Sequence, residues 1–176
     1  SSSKEMEKWL QEGIVDLATL ILPIESDTLS YEVIKEEKMV VALPASHMLA
    51  REIKLKERQH YPSISLNMLK DEKFILPKST QRSRPIFDAM FKEAGLIPNI
   101  LCETKTMDTA NAIVASGLGV CFTLPQTIRA EDKDKLALFT LNSALMSRTL
   151  VLAYKQEKYL PKIAHEFLSV AKRFVK

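Results

Sequence analysis

Four short apolar runs in this chain each end at a proline: Ile14 to Leu22 before Pro23, Lys38 to Leu43 before Pro44, Phe74 to Leu76 before Pro77, and Val120 to Leu124 before Pro125. Proline donates no backbone hydrogen bond and holds the residue before it in an extended conformation, so such a run reads as a strand with a fixed end. Between the runs lie stretches whose apolar residues recur at helical spacing. Met6, Trp9 and Leu10 form one set, Ile86, Phe87, Met90, Phe91 and Ala94 a second, and Leu160, Ile163, Ala164, Phe167, Ala171 and Phe174 a third. Strands that are apolar nearly throughout are buried on both faces, and their alternation with helices predicts an α/β protein whose sheet is covered on both sides.

Local signals complete this outline. Ser2 with Glu5 makes a capping-box pattern for the first helix, which Gly13 stops. Tyr31 to Lys35 and Lys38 to Leu43 read as two strands with Glu36 and Glu37 between them, and Leu66 to Glu72 as a short helix. Ser83, Arg84 and Pro85 open a helix that Gly95 caps. Ile100 to Thr104 is a strand, Met107 to Ser116 a helix, and Gly117-Leu118-Gly119 a turn into the Val120 strand. Leu136 to Leu141 and Thr149 to Tyr154 are further strands, and Tyr159 to Val175 is a closing helix. All four glycines fall at or just after helix ends, which leaves none for a phosphate-cradling loop.

Composition narrows the class. With 46% hydrophobic and 27% charged residues the chain reads as an ordinary globular protein, and no apolar run reaches the roughly 18 residues of a membrane-spanning helix. The start carries no signal-peptide core, so the expectation is a cytoplasmic protein with no membrane partner. The net charge of +3 sits in residues 148–176, where 7 Lys+Arg face 2 Asp+Glu. Lys162, Lys172, Arg173 and Lys176 there suit either a solvated helix face or a nucleic-acid surface. Cys102 and Cys121 have no CxxC spacing and no histidine pair nearby, which speaks for a reducing compartment and against structural zinc.

Few residues suggest catalysis. His47, His60 and His165 are isolated, there is no metal-binding or nucleophile-elbow motif, and Cys121 lies in an apolar strand pattern. No cofactor, metal site or catalytic constellation is expected, and the chain reads as a non-enzyme. The informative segment is Lys78-Ser79-Thr80-Gln81-Arg82-Ser83-Arg84, which follows a buried strand and precedes a helix. Helix-start N–H groups, hydroxyls, an amide and guanidiniums together suit a carboxylate, sulfate or phosphate. The same residues also suit a plain helix cap with solvated arginines. Ser116, before Gly117, is a second candidate of the same kind.

Together these segments resemble the effector-binding domain of LysR-type transcriptional regulators. The resemblance rests on Glu12 to Ala18, Met39 to Pro44 with Ser46-His47 and Leu49-Ala50, Phe74-Ile75-Leu76, Phe91 to Gly95, Glu103-Thr104, Ala115 to Val120 and Arg148 to Tyr154, in the family's order over nearly the whole chain. It implies two Rossmann-like α/β lobes of periplasmic-binding-protein type (type II) joined by two crossing strands. Lobe one would be 1–73 with 155–176 and lobe two 74–154, the crossings lying near Lys73 to Leu76 and Leu150 to Tyr154. A small, anionic effector would lie in the interlobe cleft, against Pro23, Leu43, Ser79, Thr80, Gln81, Arg82, Ser116 and Phe122. The resemblance further implies a homodimer or tetramer of a full-length protein that touches DNA only through an N-terminal winged helix-turn-helix outside this chain. The opening strand, helix and strand of lobe one would also lie outside it. A stand-alone solute-binding protein of a transporter is the alternative with the same architecture.

Overall fold

The computed structural model describes residues 3–53, 61–156 and 160–174. Ser2 of the capping-box pattern, His60 and Tyr159 lie outside the described residues. The chain forms two compact units, residues 1–37 with 147–176 and residues 38–146.

In the first unit a three-stranded sheet runs in the order β1 (Ala18–Ile21), β9 (Ser147–Lys155), β2 (Leu29–Lys38). β1 and β9 are antiparallel, with Ala18 opposite Ala153. Side chains alternate between the sheet's faces, and each face takes one helix. Helix α1 (Ser3–Glu12) buries Leu10 against Ala18, Leu20, Leu29, Val151 and Ala153. Leu160 and, from helix α5 (Lys162–Phe174), Ala164 and Leu168 pack with Leu152 of the middle strand. Glu37 accepts two hydrogen bonds from Arg148, at 2.8 and 2.7 Å, and the Ser147 hydroxyl donates to Glu36 at 2.6 Å.

The second unit holds a six-stranded sheet in the order β4 (Ser63–Ile64), β8 (Leu136–Leu141), β3 (Val40–Pro44), β7 (Val120–Thr123), β5 (Lys73–Pro77), β6 (Asn99–Thr104). β3 is antiparallel to β7 and β8, whereas β5 is parallel to both β7 and β6. Every residue of β3 and β7 is buried, as an apolar strand covered on both faces must be. Phe74, Leu76, Val41, Leu43 and Phe122 point to the face covered by helix α3 (Arg84–Glu93), through Phe87, Met90 and Phe91. Ile75, Cys121 and Ala42 point to the opposite face, covered by Ala110 and Val114 of helix α4 (Met107–Ala115). The Phe87 and Phe122 rings stack with centroids 4.4 Å apart, and Phe74 meets Phe91 edge-on at 4.8 Å. Such aromatic pairs add about 0.5–1.5 kcal/mol each beyond their buried area.

Several elements differ from the sequence reading. The long run from Ile14 yields a strand only at Ala18–Ile21. β2 continues through Glu36 and Glu37 to Lys38, because the ion pair with Arg148 and the hydroxyl of Ser147 satisfy both carboxylates within the strand. Leu66–Leu69 is a 3-10 turn instead of a helix, and Met48–Glu52 forms an unforeseen short helix, α2, capped by the His47 ring accepting the Leu49 N–H at 3.1 Å.

The passages between units also differ. They fall at 37/38 and 146/147, not at 73/74 and 154/155. Lys73 to Leu76 is not a crossing: β5 lies between β7 and β6 inside the second unit. Leu150 to Tyr154 belongs to the central strand of the first unit's sheet. An apolar strand reads the same in sequence whether it crosses between sheets or sits in the middle of one, and hydrogen-bond partners alone decide.

Candidate functional site

In the parallel part of the second unit's sheet, β5 and β6 both end at the same edge, with Pro77 beside Thr104. Each strand leads into a helix, β5 through Lys78–Ser83 into α3 and β6 through Lys105–Thr106 into α4. Two helix amino ends thus emerge at the carboxyl edge of two adjacent parallel strands, the place where open α/β sheets take ligands. Each helix end carries roughly half a positive charge in unpaired N–H groups.

The two loops are tied together. The Lys78 N–H donates to the Thr104 carbonyl at 3.1 Å, and the Gln81 amide donates to the Lys105 carbonyl at 2.6 Å. Arg84 donates to the Pro77 carbonyl at 3.0 Å, to Asp88 at 2.8 Å and to Glu103. The hydrogen bonds to Asp88 and Glu103 raise its already high pKa. Thr106 caps α4, its hydroxyl accepting the Thr109 N–H at 3.2 Å. Within this frame Ser79 and Thr80 are exposed, and among the described residues neither hydroxyl has a hydrogen-bond partner. Gln81 and Arg82 are half-buried. Ser83 occupies the cap position of α3 without a side-chain capping bond, so these polar residues do not serve as the helix cap that the sequence equally allows. The two loops carry Lys78, Arg82, Arg84 and Lys105, of which Arg84 is paired with Asp88 and Glu103.

Other expected site residues are placed elsewhere. Ser116 sits at the opposite edge of the sheet. β7 runs parallel to β5 with Val120 beside Phe74, so the turn entering β7 lies at the amino ends of both strands. A Cβ at Gly119 would strike the Lys73 carbonyl oxygen. The Ser116 hydroxyl donates to the Ile113 carbonyl at 2.7 Å, closing its own helix. Leu43 and Phe122, 0% and 4% exposed, are packed into the core beneath α3 and away from this edge's polar loops. Pro23, exposed and preceded by a cis peptide bond, belongs to the first unit. Lys105 and Thr106 are not singled out from sequence, and Thr104 enters there only as a strand end within the resemblance. A threonine directly before the apolar period of α4 is the usual mark of a helix cap and could have pointed to them.

The cysteines and His47 are placed for structure. Cys121 and Cys102 flank Ile75 on either side of β5. At about 4.8 Å per strand they lie roughly 10 Å apart, beyond the 7 Å limit for a disulfide. Burial pushes the Cys121 thiol up to about 12, which leaves it protonated and unreactive at neutral pH. The His47 Nε2 lies 3.0 Å from Glu72 while its Nδ1 caps α2. Among the described residues no cluster of three or more His, Cys, Asp or Glu is placed to hold a metal. No described helix is long and apolar enough to cross a membrane.

The sequence profile of the LysR substrate binding domain matches residues 1–176. The HTH-type transcriptional regulator YcgK of Bacillus subtilis is 29% identical over 180 residues, which cover 97% of this chain and 55% of that protein. The chain thus spans about half the length of the curated relatives it matches. Among solved structures, the effector binding domain of QuiR in complex with shikimate superposes with a TM-score of 0.81 at 20% identity, covering 99% of this chain and 78% of that one. The regulatory domain of CcmR from Synechocystis, in complex with 2-PG, gives 0.82 at 20% identity, covering 100% of this chain and 81% of that one. These likenesses establish the fold, an α/β architecture with two lobes of periplasmic-binding-protein type.

Proposed function

The chain belongs to the LysR substrate binding domain family, and on that premise we propose that it is the effector-sensing part of a cytoplasmic transcriptional regulator, binding a small anion through Ser79, Thr80, Gln81 and Arg82. The observation that carries this reading is the meeting of two helix amino ends at one strand edge, with the Ser79 and Thr80 hydroxyls exposed and unengaged there. A carboxylate seated at that edge would accept from those hydroxyls and from helix-start N–H groups, hydrogen bonds to charge worth about 1.5–3 kcal/mol each. Shikimate, the ligand of QuiR, carries such a group. The full-length protein would act as a homodimer or tetramer and reach DNA through a helix-turn-helix domain outside this chain, as the HTH-type naming of its relatives suggests. That naming also favours the regulator over a transporter's solute-binding protein, and a binding role over an enzyme. Effector binding can shift the regulator only by the difference in its affinity for two arrangements.

Thermal-shift and calorimetric titration of the full-length protein with shikimate, other small carboxylates, sulfate and phosphate tests the site. At least one anion should stabilise the protein, and a Ser79→Ala/Thr80→Ala variant should bind it at least tenfold more weakly, about 1.4 kcal/mol. Unchanged affinity in that variant, or no anion that binds, would remove the proposal.

A further inference from the structure

The far end of α3 borders a different kind of cavity. It has a volume of ≈ 530 Å³, within the range of small-molecule sites, and lies wholly in the second unit. Its walls are Leu66, beside the short edge strand β4, Met90 of α3 and Leu141 at the end of β8, all buried. Its rim carries Ser65, Glu93 and Asn142, all exposed. Met90 and Glu93 lie one turn apart on α3, so one helix face supplies both wall and rim.

Charge distinguishes this cavity from the strand-edge site. Among the described residues lining it, Glu93 is the only ionisable one, with no lysine, arginine or histidine beside it. Among the described residues Glu93 has no cationic partner; it ends α3, and the positions three and four before it on the helix hold Met90 and Ala89. The Ser65 hydroxyl already accepts the Asn67 N–H at 3.3 Å, which leaves it a proton to donate. Among the described residues an anion would meet only a like charge here, whereas an ammonium group would find a carboxylate beside an apolar floor.

We propose that this cavity is a second ligand site, selective for a small organic cation with an apolar body, such as an aryl or alkyl primary amine. The probe is benzylamine, with benzyl alcohol and benzoate as neutral and anionic isosteres, titrated into the 176-residue chain and followed by two-dimensional amide NMR and calorimetry. Benzylamine should bind saturably, with its largest shifts at Leu66, Glu93 and Asn142, and at least threefold more tightly than benzyl alcohol. Benzoate should leave those resonances unmoved. Glu93→Gln, at an exposed position, should weaken benzylamine about three- to fivefold, the scale of an exposed ion pair. Ala94→Phe should fill the cavity and abolish binding, whereas Ser79→Ala/Thr80→Ala should leave it intact, which separates this site from the anion site. The proposal is overturned if no saturation is seen below about 20 mM, the weak limit for eight heavy atoms at ~0.3 kcal/mol each. It is equally overturned if Glu93→Gln leaves benzylamine affinity unchanged or if the shifts map to residues 78–83.

Discussion

Replacing Gly119 by alanine, with Gly117 as the control, separates two costs that a glycine usually hides together. Both residues have positive φ, 67° and 90°, so an alanine at either pays about 1–2 kcal/mol for left-handed backbone. At Gly117 that is the whole cost, because a Cβ there has nothing within 4 Å. At Gly119 the added methyl would strike the Lys73 carbonyl oxygen and lie 3.4 Å from its carbon and 3.5 Å from the Ile75 Cδ1. The obstacle is backbone at the root of β5, hydrogen-bonded between β7 and β6, and it cannot rotate away as a side chain would. Relief must come from bent angles or a displaced strand, and about 4 kcal/mol accompanies a 15° backbone-angle distortion. Gly119→Ala should therefore lose about 5–6 kcal/mol, and Gly117→Ala about 1–2. Urea denaturation followed by far-UV circular dichroism measures both, and amide hydrogen exchange in β5 and β7 should accelerate only in the Gly119 variant. Equal losses in the two variants would refute the steric part of this account and with it the close packing of the turn on Lys73.

Phe122→Ala should destabilise the second unit by about 3–5 kcal/mol, the usual cost of an aromatic truncated in a packed core, and a melt of the purified variant reads it directly. In native protein at pH 8 a disulfide reagent should titrate Cys102 alone, with Cys121 appearing only on denaturation. Alkaline pH gives the same thiol a signature in stability. Between the ordinary thiol value near 9 and about 12 the unfolded chain has released the Cys121 proton while the folded chain still holds it. Stability therefore falls as pH rises through that window, by about 1.4 kcal/mol per unit, and Cys121→Ala should show that much less slope in paired urea melts.

The sequence reading recovered what depends on local pattern. Helix α3 begins within one residue of its signal at Ser83-Arg84-Pro85, Gly95 follows its end at φ 66°, and β8 has the bounds expected from Leu136 to Leu141. What it missed depends on partners distant in sequence. Glu36 and Glu37 look like a turn until Ser147 and Arg148, 111 residues away, are seen to satisfy them. Ser116 looked like a partner of Ser79 because both are serines at helix ends next to strands. One precedes its strand and the other follows, so the parallel pairing of β5 with β7 sends them to opposite edges. Phe122 and Leu43 were expected to line a pocket because apolar strand ends border such sites, yet the aromatic cluster under α3 had claimed them.

Helix α3 has ten residues, hence a length of about 15 Å, and it is held along one side by Phe87, Met90 and Phe91. Its amino end opens on the polar loop at the strand edge, and its last turn forms the wall of the Glu93 cavity. A packed helix of three turns moves as a rigid rod and does not bend to suit one end alone. Any occupant that tilts it by a degree at Met90 re-aims the N–H groups at Arg84, and thermodynamic reciprocity makes the influence run equally in the other direction. Occupancy of the two proposed sites, one at each end of α3, would then be coupled, each solute altering the affinity of the domain for the other.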